Sequence, residues 1–250
     1  MLARTRDRPL AGLGSAVVLA LVLSGFGCTL TQRPSVKVVD PALRERGTEL
    51  TRERRRGGYA LGPYEIHDVG LRAEPPDPDG PLATEDARRP VSQHRAGLVL
   101  DAPSGRSWTT ACILQRRPSV AIDYRAVLDE NGDEIALDCV IKARGLPPWT
   151  FSARTSMSNN FVGPLQPTGG EQEYQLEVLT RVSPVRRLER LKRLLPVPVV
   201  QLRDGERAVL AALLGRPERA WVAEGLSPLA AEAGLALAMT LRVLPWQLAQ

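Results

Sequence analysis

The stretch Leu98-Val99-Leu100-Asp101-Ala102-Pro103-Ser104-Gly105, followed by Trp108, Thr110 and Cys112, decides the fold. An alternating apolar run enters a turn-forming Pro-Ser-Gly and leaves as a second alternating run, the pattern of a β-hairpin. The unit recurs. Ala126-Val127-Leu128-Asp129-Glu130-Asn131-Gly132 leads to Ile135, Leu137 and Cys139, and Val199-Val200-Gln201-Leu202-Arg203-Asp204-Gly205 leads to Ala208, Val209 and Leu210. Asn-Gly and Asp-Gly are strong hairpin signals, because the central positions of a tight turn favour positive φ. A mainly β chain built from antiparallel hairpin repeats is expected.

Two of the three cysteines fit this repeat. Cys112 lies seven residues after Gly105, and Cys139 lies seven after Gly132. Side chains alternate along a strand, so Trp108, Thr110 and Cys112 share one face. Ile135, Leu137 and Cys139 likewise share a face, opposite Glu134 and Asp138. Both cysteines therefore point toward a core. Equivalent strands of one sheet would bring them together, and an even pair in an exported chain reads as a disulfide. Two buried free thiols are the alternative.

Outward from the hairpins, 59–74 reads as strand through Tyr64, Ile66, Val69 and Leu71, and 149–156, 174–182 and 220–223 also read as strands. Pro75, Pro76, Pro78, Pro81 and Pro90 mark a long surface loop, since such a density of proline leaves no room for regular structure. His94 falls in that loop. Residues 156–170, rich in Ser, Asn, Gly and Pro, read as a second loop. Between 184 and 195, Leu188, Leu191 and Leu194 stand among Arg186, Arg187, Arg190, Lys192 and Arg193. That spacing predicts a short basic amphipathic helix, either a cover on the sheet or a membrane-surface element.

The carboxyl-terminal element differs from all of these. Ser227 can cap a helix and Pro228 suits its first position. Over 229–244, Leu, Ala, Gly, Met and Val occupy every face, and only Glu232, Thr240 and Arg242 are polar. A helix apolar all round is enclosed by protein or by membrane. The charge-free run 233–241 is too short to cross a bilayer, which takes about 20 residues. It is expected inside the strands, ending at Pro245.

A β-rich chain that ends in such a helix resembles the tubby-like and phospholipid-scramblase-like barrels, in which repeated hairpins close around a central hydrophobic helix at the carboxyl terminus. The resemblance covers roughly residues 58–246 and rests on the hairpins, the strand at 220–223 and the helix at 228–244. It implies a barrel or strongly curved sheet around a buried helix. Members of that fold bind lipid headgroups or move lipids, but no lipid-contacting residue carries over to this sequence. The chain is also similar to the curved open sheets of outer-membrane lipoprotein carriers, whose concave face holds acyl chains. Neither likeness fixes a function.

The amino terminus gives an address. Arg4, Arg6 and Arg8 precede an uncharged run over 10–23, and Gly25, Phe26 and Gly27 lead to Cys28. A basic start, a short apolar stretch and small residues before a cut are the parts of a secretory signal. The end of this segment resembles a bacterial lipobox, in which the cysteine becomes the first mature residue and carries the acyl chains. Cys28 and the small Gly27 match that pattern, whereas Gly25 stands where the family usually has Leu. An ordinary cleavage site near Gly25 or Gly27, with Cys28 a bystander, is the alternative. The expected organisation is a signal peptide at 1–27, a lipidated flexible tether at 28–57 rich in Arg and Glu, and a barrel-like domain at 58–250. Lipidation at Cys28 would place the protein in the cell envelope, on the outer membrane or a periplasm-facing membrane surface. The tether's basic run 52–56 would then lie close to anionic headgroups or serve as a solvated spacer.

Composition narrows the partners. The formal charge is +5, of which 1–27 carry +2, leaving a mature chain of +3. Lysine occurs only at Lys37, Lys142 and Lys192. Scattered arginine without aromatic interleaving is no nucleic-acid patch. His67 and His94 are the only histidines. His67 precedes Asp68 on a strand, where neighbours point to opposite faces, so no dyad is expected. No metal-ligand spacing, phosphate loop or Gly-x-Ser-x-Gly elbow is present. The acidic cluster Asp129, Glu130, Asp133 and Glu134 reads as an exposed hairpin tip rather than a calcium loop. No catalytic residue, cofactor or metal is expected. The sequence points to a non-catalytic structural or interaction module, anchored to the membrane and facing an envelope partner. The alternative is a lipid- or small-ligand-binding protein at that surface.

Overall fold

The computed structural model describes residues 38–74, 93–117, 134–156, 160–179, 198–215 and 218–245, all within the compact unit that spans 33–250. Twelve strands follow a short helix: α1 (Pro41–Arg46), β1 (Thr48–Arg55), β2 (Gly58–Leu61), β3 (Tyr64–Glu74), β4 (Gln93–Asp101), β5 (Ser107–Arg117), β6 (Glu134–Ala143), β7 (Trp149–Ser156), β8 (Phe161–Pro167), β9 (Tyr174–Leu179), β10 (Val199–Asp204), β11 (Arg207–Leu213) and β12 (Arg219–Val222). Each pairs antiparallel with its sequence neighbours, and β1 pairs with β12, so the sheet closes into a barrel. Helix α2 (Pro228–Leu241) completes the fold.

Alternation builds the interior. Ala96, Leu98 and Leu100 of β4, Trp108 and Leu114 of β5, Ile135, Leu137 and Ile141 of β6, and Leu176 and Val178 of β9 all point inward and are buried. Helix α2 lies among them, touching β4, β5 and β6 on one wall and β11 on another. Every residue from Ala230 to Leu241 is buried. The Ser227 side chain caps its start by accepting the amide of Ala230, and Pro228 takes the first turn, as the sequence predicts. Burying a side chain such as Leu235, Leu237 or Leu241 stabilises by about 1.5–3 kcal/mol, so the helix is a large apolar contribution to the core. Among the described residues no helix is long and apolar enough to cross a membrane. The mainly β architecture closed around a buried carboxyl-terminal helix is thus as expected.

The two barrel rims differ. At one rim the strands are joined by short connections at 62–63, 102–106, 144–148, 168–173 and 205–206. Helix α2 starts there. At the other rim lie the β1–β2 turn, the ends of β3, β5 and β9, and the last residues of α2.

Several expectations are corrected. The stretch read as tether is not all tether: α1 packs on the barrel's outer wall and β1 closes the barrel. Asp40 caps α1 by accepting from the amides of Ala42 (2.8 Å) and Leu43 (3.4 Å). Leu43 and Val39 then bury against Val199, Ala211, Leu213 and Trp221, so the strands beneath them are apolar on both faces. In β1 only Leu50 is buried. Its charged neighbours hid a strand that its backbone ladders to β2 and β12 hold in place. Residues 156–170 were expected to be loop, yet 161–167 form β8, with Phe161 and Leu165 buried. Gly163 comes so close to β7 that an added Cβ would stand 2.2 Å from the Ser152 carbonyl oxygen. His94 lies within β4, opposite Leu114 of β5, and outside the proline-rich loop. In the β10–β11 hairpin the two connecting residues are Gly205 (φ +57°) and Glu206, one position later than the Asp-Gly reading. The strand and Asn-Gly turn at 126–132 and the basic helix at 184–195 lie outside the described residues.

Candidate functional site

Polar chemistry gathers at three places, two of them at the ends of α2. At the short-connection rim, Glu232 is 2% exposed and its carboxylate meets the β4–β5 hairpin. The Arg106 Nε donates to its Oε2 (2.7 Å) and an Arg106 Nη2 donates to its Oε1 (2.8 Å). The Trp108 indole N–H donates to Oε2 (2.8 Å). Burial pushes the Glu232 carboxyl up, but hydrogen bonds from Arg106, Trp108 and Ser104 outweigh it and hold the group below its ordinary range. Arg106 is raised in turn, first by its bond to Glu232. Burial raises the nearby Tyr64 hydroxyl, with the Glu232 charge adding to it. A bidentate Arg–carboxylate pair is directional, so this latch fixes the rotation of α2 about its axis.

Deeper in the barrel, Thr240 donates to the Ala236 carbonyl (2.9 Å) and hydrogen-bonds the hydroxyl of Thr110 on β5. That pair repeats the registration at mid-height. An added Cβ at Gly234 would meet Leu210 and Leu202 side chains at 3.3 and 3.4 Å, a measure of how closely the wall fits the helix.

At the opposite rim the second buried carboxylate, Glu218, is 1% exposed. Its Oε1 accepts from Arg52 of β1 (2.7 Å) and from Arg242 at the end of α2 (2.5 Å). Arg52 and Arg242 also stand over the Tyr59 ring at 4.2 and 5.5 Å. The Glu218 Oε2 and the Tyr59 hydroxyl are both buried, and among the described residues neither has a partner at good hydrogen-bond geometry, although Arg242 stands near the Tyr59 hydroxyl. Burial raises the Tyr59 hydroxyl, against the pull of Arg242.

The third place corrects the histidine reading. The β3–β4 register shifts between His67 and Gly70, and Asp68 adopts φ +51°. This bulge turns Asp68 back, so its Oδ2 lies 3.1 Å from His67 Nδ1, while Asp101 Oδ2 lies 2.8 Å from Nε2. Neighbours on a bulged strand need not face opposite ways. The Asp101 bond first, and then Asp68, raise the His67 pKa, while Ser107 and then His67 lower that of Asp101. Both ring nitrogens serve carboxylates and Ser107 bonds Asp101 rather than the ring. The group has no nitrogen free to activate a nucleophile; it suits a cation held between two anions.

Cys112 and Cys139 are joined as a disulfide, with Cα atoms 4.1 Å apart. They are direct register partners on β5 and β6, which pair over ten positions. Adjacency in one ladder brings them together, as expected of strands in one sheet. Cys28 lies outside the described residues. Among the described residues no group of His, Cys, Asp and Glu is placed to hold a metal ion. A cleft of about 370 Å³ lies outside the barrel between α1 and the β10–β11 turn, with Asp40, Arg46, Arg207 and Glu224 on its walls. Sequence reading missed both carboxylate clusters. Glu232 was visible as the lone acid in an apolar helix, but nothing pointed to Arg106 as its partner. Glu218 carried no signal at all.

No protein-family model, no curated protein and no solved structure matches this chain.

Proposed function

We propose that this chain is an exported, lipid-anchored protein of the cell envelope, whose barrel is a non-catalytic structural or interaction module akin in architecture to the tubby-like barrels. The observation that carries this reading is the helix buried inside the barrel. Every residue of α2 from Ala230 to Leu241 is buried against the strands, and Arg106, Glu232 and Trp108 are spent on one another. A helix of the chain's own occupies the place where a barrel would hold a ligand, which favours the surface as the part that meets other molecules. Cys28 supplies the anchor, and the disulfide suits an oxidising compartment.

Two measurements test it. Cells fed radioactive palmitate should label the wild-type protein and leave the Cys28→Ser variant unlabelled; equal labelling of the two would remove the anchor. Native mass spectrometry of exported Cys28→Ser protein should give the polypeptide mass without an adduct. A retained lipid of constant mass would overturn this reading in favour of a lipid-binding protein.

A further inference from the structure

Glu218 and Glu232 are each met by arginines, whereas one cleft keeps its charges unpaired. This cleft of about 370 Å³ lies on the outer wall, where α1 packs over β11 and β12. Every residue that lines it is described, and so are the connections at 205–206 and 223–227 beside it. Arg46 stands on the α1 side, and Arg207 and Glu224 stand on the sheet side. All three are exposed. Among the described residues none of their side chains has an ion pair or a hydrogen bond. Asp40, the fourth charged residue of the lining, already accepts the amides of Ala42 and Leu43.

The walls are fixed by the fold itself. Leu43 is buried against the sheet and pins α1 to it. The Gly47 amide donates to the Leu43 carbonyl (2.8 Å) and ends the helix. A Cβ at Gly47 would stand 2.5 Å from that carbonyl oxygen and 3.1 Å from the carbonyl oxygen of Val222, so glycine lets α1 close onto β12. On the sheet side the Ala223 amide donates to the Val209 carbonyl (2.9 Å) and holds Glu224 at the end of the β11–β12 ladder. Between the charges the lining is apolar, through Leu43, Ala208 and Ala223. An apolar floor with a few polar groups around it is the make-up of a small-molecule site, and this cleft is at the lower end of their sizes.

We propose that this cleft binds a free α-amino acid with an apolar side chain. Two arginines suit one carboxylate, because guanidinium groups hold carboxylate oxygens directionally. Glu224 suits one ammonium, whose three N–H donors need an acceptor. An α-amino acid carries both groups on a single carbon, and Leu43, Ala208 and Ala223 offer its side chain an apolar bed. A simple anion would face Glu224, and a simple cation would face two arginines. The zwitterion satisfies all three charges at once. The site goes beyond the structural or interaction role proposed above and does not depend on the anchor.

The test titrates L-leucine into exported Cys28→Ser protein and follows backbone amides by NMR. Shifts at Arg46, Gly47, Ala208 and Ala223 should saturate, with a Kd of about 1 mM or tighter. Isocaproate is leucine without the ammonium, and isoamylamine is leucine without the carboxylate. Each should bind at least about tenfold more weakly. Glu224→Gln should weaken leucine by about tenfold and leave isocaproate no weaker than before. Arg207→Gln should weaken leucine and isocaproate alike, by about tenfold. Thermal melting shows whether each variant is folded, and the analogue series on the parent protein decides the matter if one is not. The absence of saturable shifts up to about 20 mM leucine would overturn the proposal. So would equal binding of leucine and isocaproate, or folded variants that bind leucine as the parent does. Palmitate labelling of the wild type is read separately, so the cleft and the anchor stand or fall independently.

Discussion

Helix α2 is held at each end by a buried carboxylate, and the two ends use different chemistry. Glu232 offers both oxygens and both are taken, by a bidentate arginine and an indole N–H. Glu218 offers both and only Oε1 is used, shared between Arg52 and Arg242. The first is a closed latch on one hairpin. The second is a junction that ties the first strand, the last strand and the helix end together, leaving Oε2 and the Tyr59 hydroxyl without a well-formed hydrogen bond among the described residues. Burial is nearly the same at the two sites, so exposure alone does not say how tightly a charged group is specified. The number of filled lone pairs does.

Substitution should separate them. Glu232→Gln puts an amide NH₂ against either a guanidinium or an indole N–H, so one donor loses its acceptor. We expect a loss of about 3 kcal/mol, read by urea unfolding. A loss under about 1 kcal/mol would mean that the latch is not specific. Glu218→Gln can keep its oxygen on the two arginines and place the NH₂ where no partner stands, so it should cost about 1–2 kcal/mol, chiefly lost charge. If it costs more than Glu232→Gln, the ranking of the two ends is reversed. Tyr59→Phe removes a buried hydroxyl that has no well-formed hydrogen bond among the described residues and keeps the ring beneath both arginines. The melting temperature should hold or rise, by up to about 1 kcal/mol of stability. A clear fall would place an ordered partner on that hydroxyl.

Acid and base should also act on different parts. The Glu232 carboxyl is depressed in the folded state, so its contribution is present above about pH 4.3 and is lost as pH falls through its lower folded value. Urea midpoints taken across that range should fall less steeply in Glu232→Gln. His67 is raised, so its contribution is present below about pH 6.5 and is lost as pH rises through its higher folded value. The ring is more than a third exposed, so solvent screens the pair and this effect is the smallest of the set. NMR titration of the imidazole should show a pKa above the ordinary histidine value, and one at or below it would contradict the double carboxylate contact.

What could be read from the sequence depended on whether an element advertises its own periodicity. The β4–β5 hairpin, β7 and α2 did, because alternation, a Pro-Ser-Gly turn and a Ser-Pro cap are local signals. Strand β1 did not. Seven of its eight residues are exposed, and a single Leu50 facing inward leaves no pattern to count. Strand β8 was masked by its own Gly163 and Pro164, loop-forming residues placed where two backbones come close. The disulfide was anticipated from the matching places of Cys112 and Cys139, although the ladder that unites them is simpler than a repeat. The charged clusters were beyond reach for another reason. Arg52 and Glu218 are 166 residues apart, and only barrel closure makes them neighbours.

That closure also imposes an order of events. The seam joins 48–51 to 219–222, and the element it must enclose is made after both of its strands. A finished cylinder gives a helix no side entrance. We expect the β1–β12 seam to be the last part of the wall to zip, after α2 has taken its place, and pulsed hydrogen exchange during refolding would check it by protecting Leu50 and Ala220 amides last. Such long-range pairing is slow to form, because the loop entropy is lost before the contacts repay it. In the reverse direction the same seam is expected to part first, and a protease would then reach the helix at the rate of that opening.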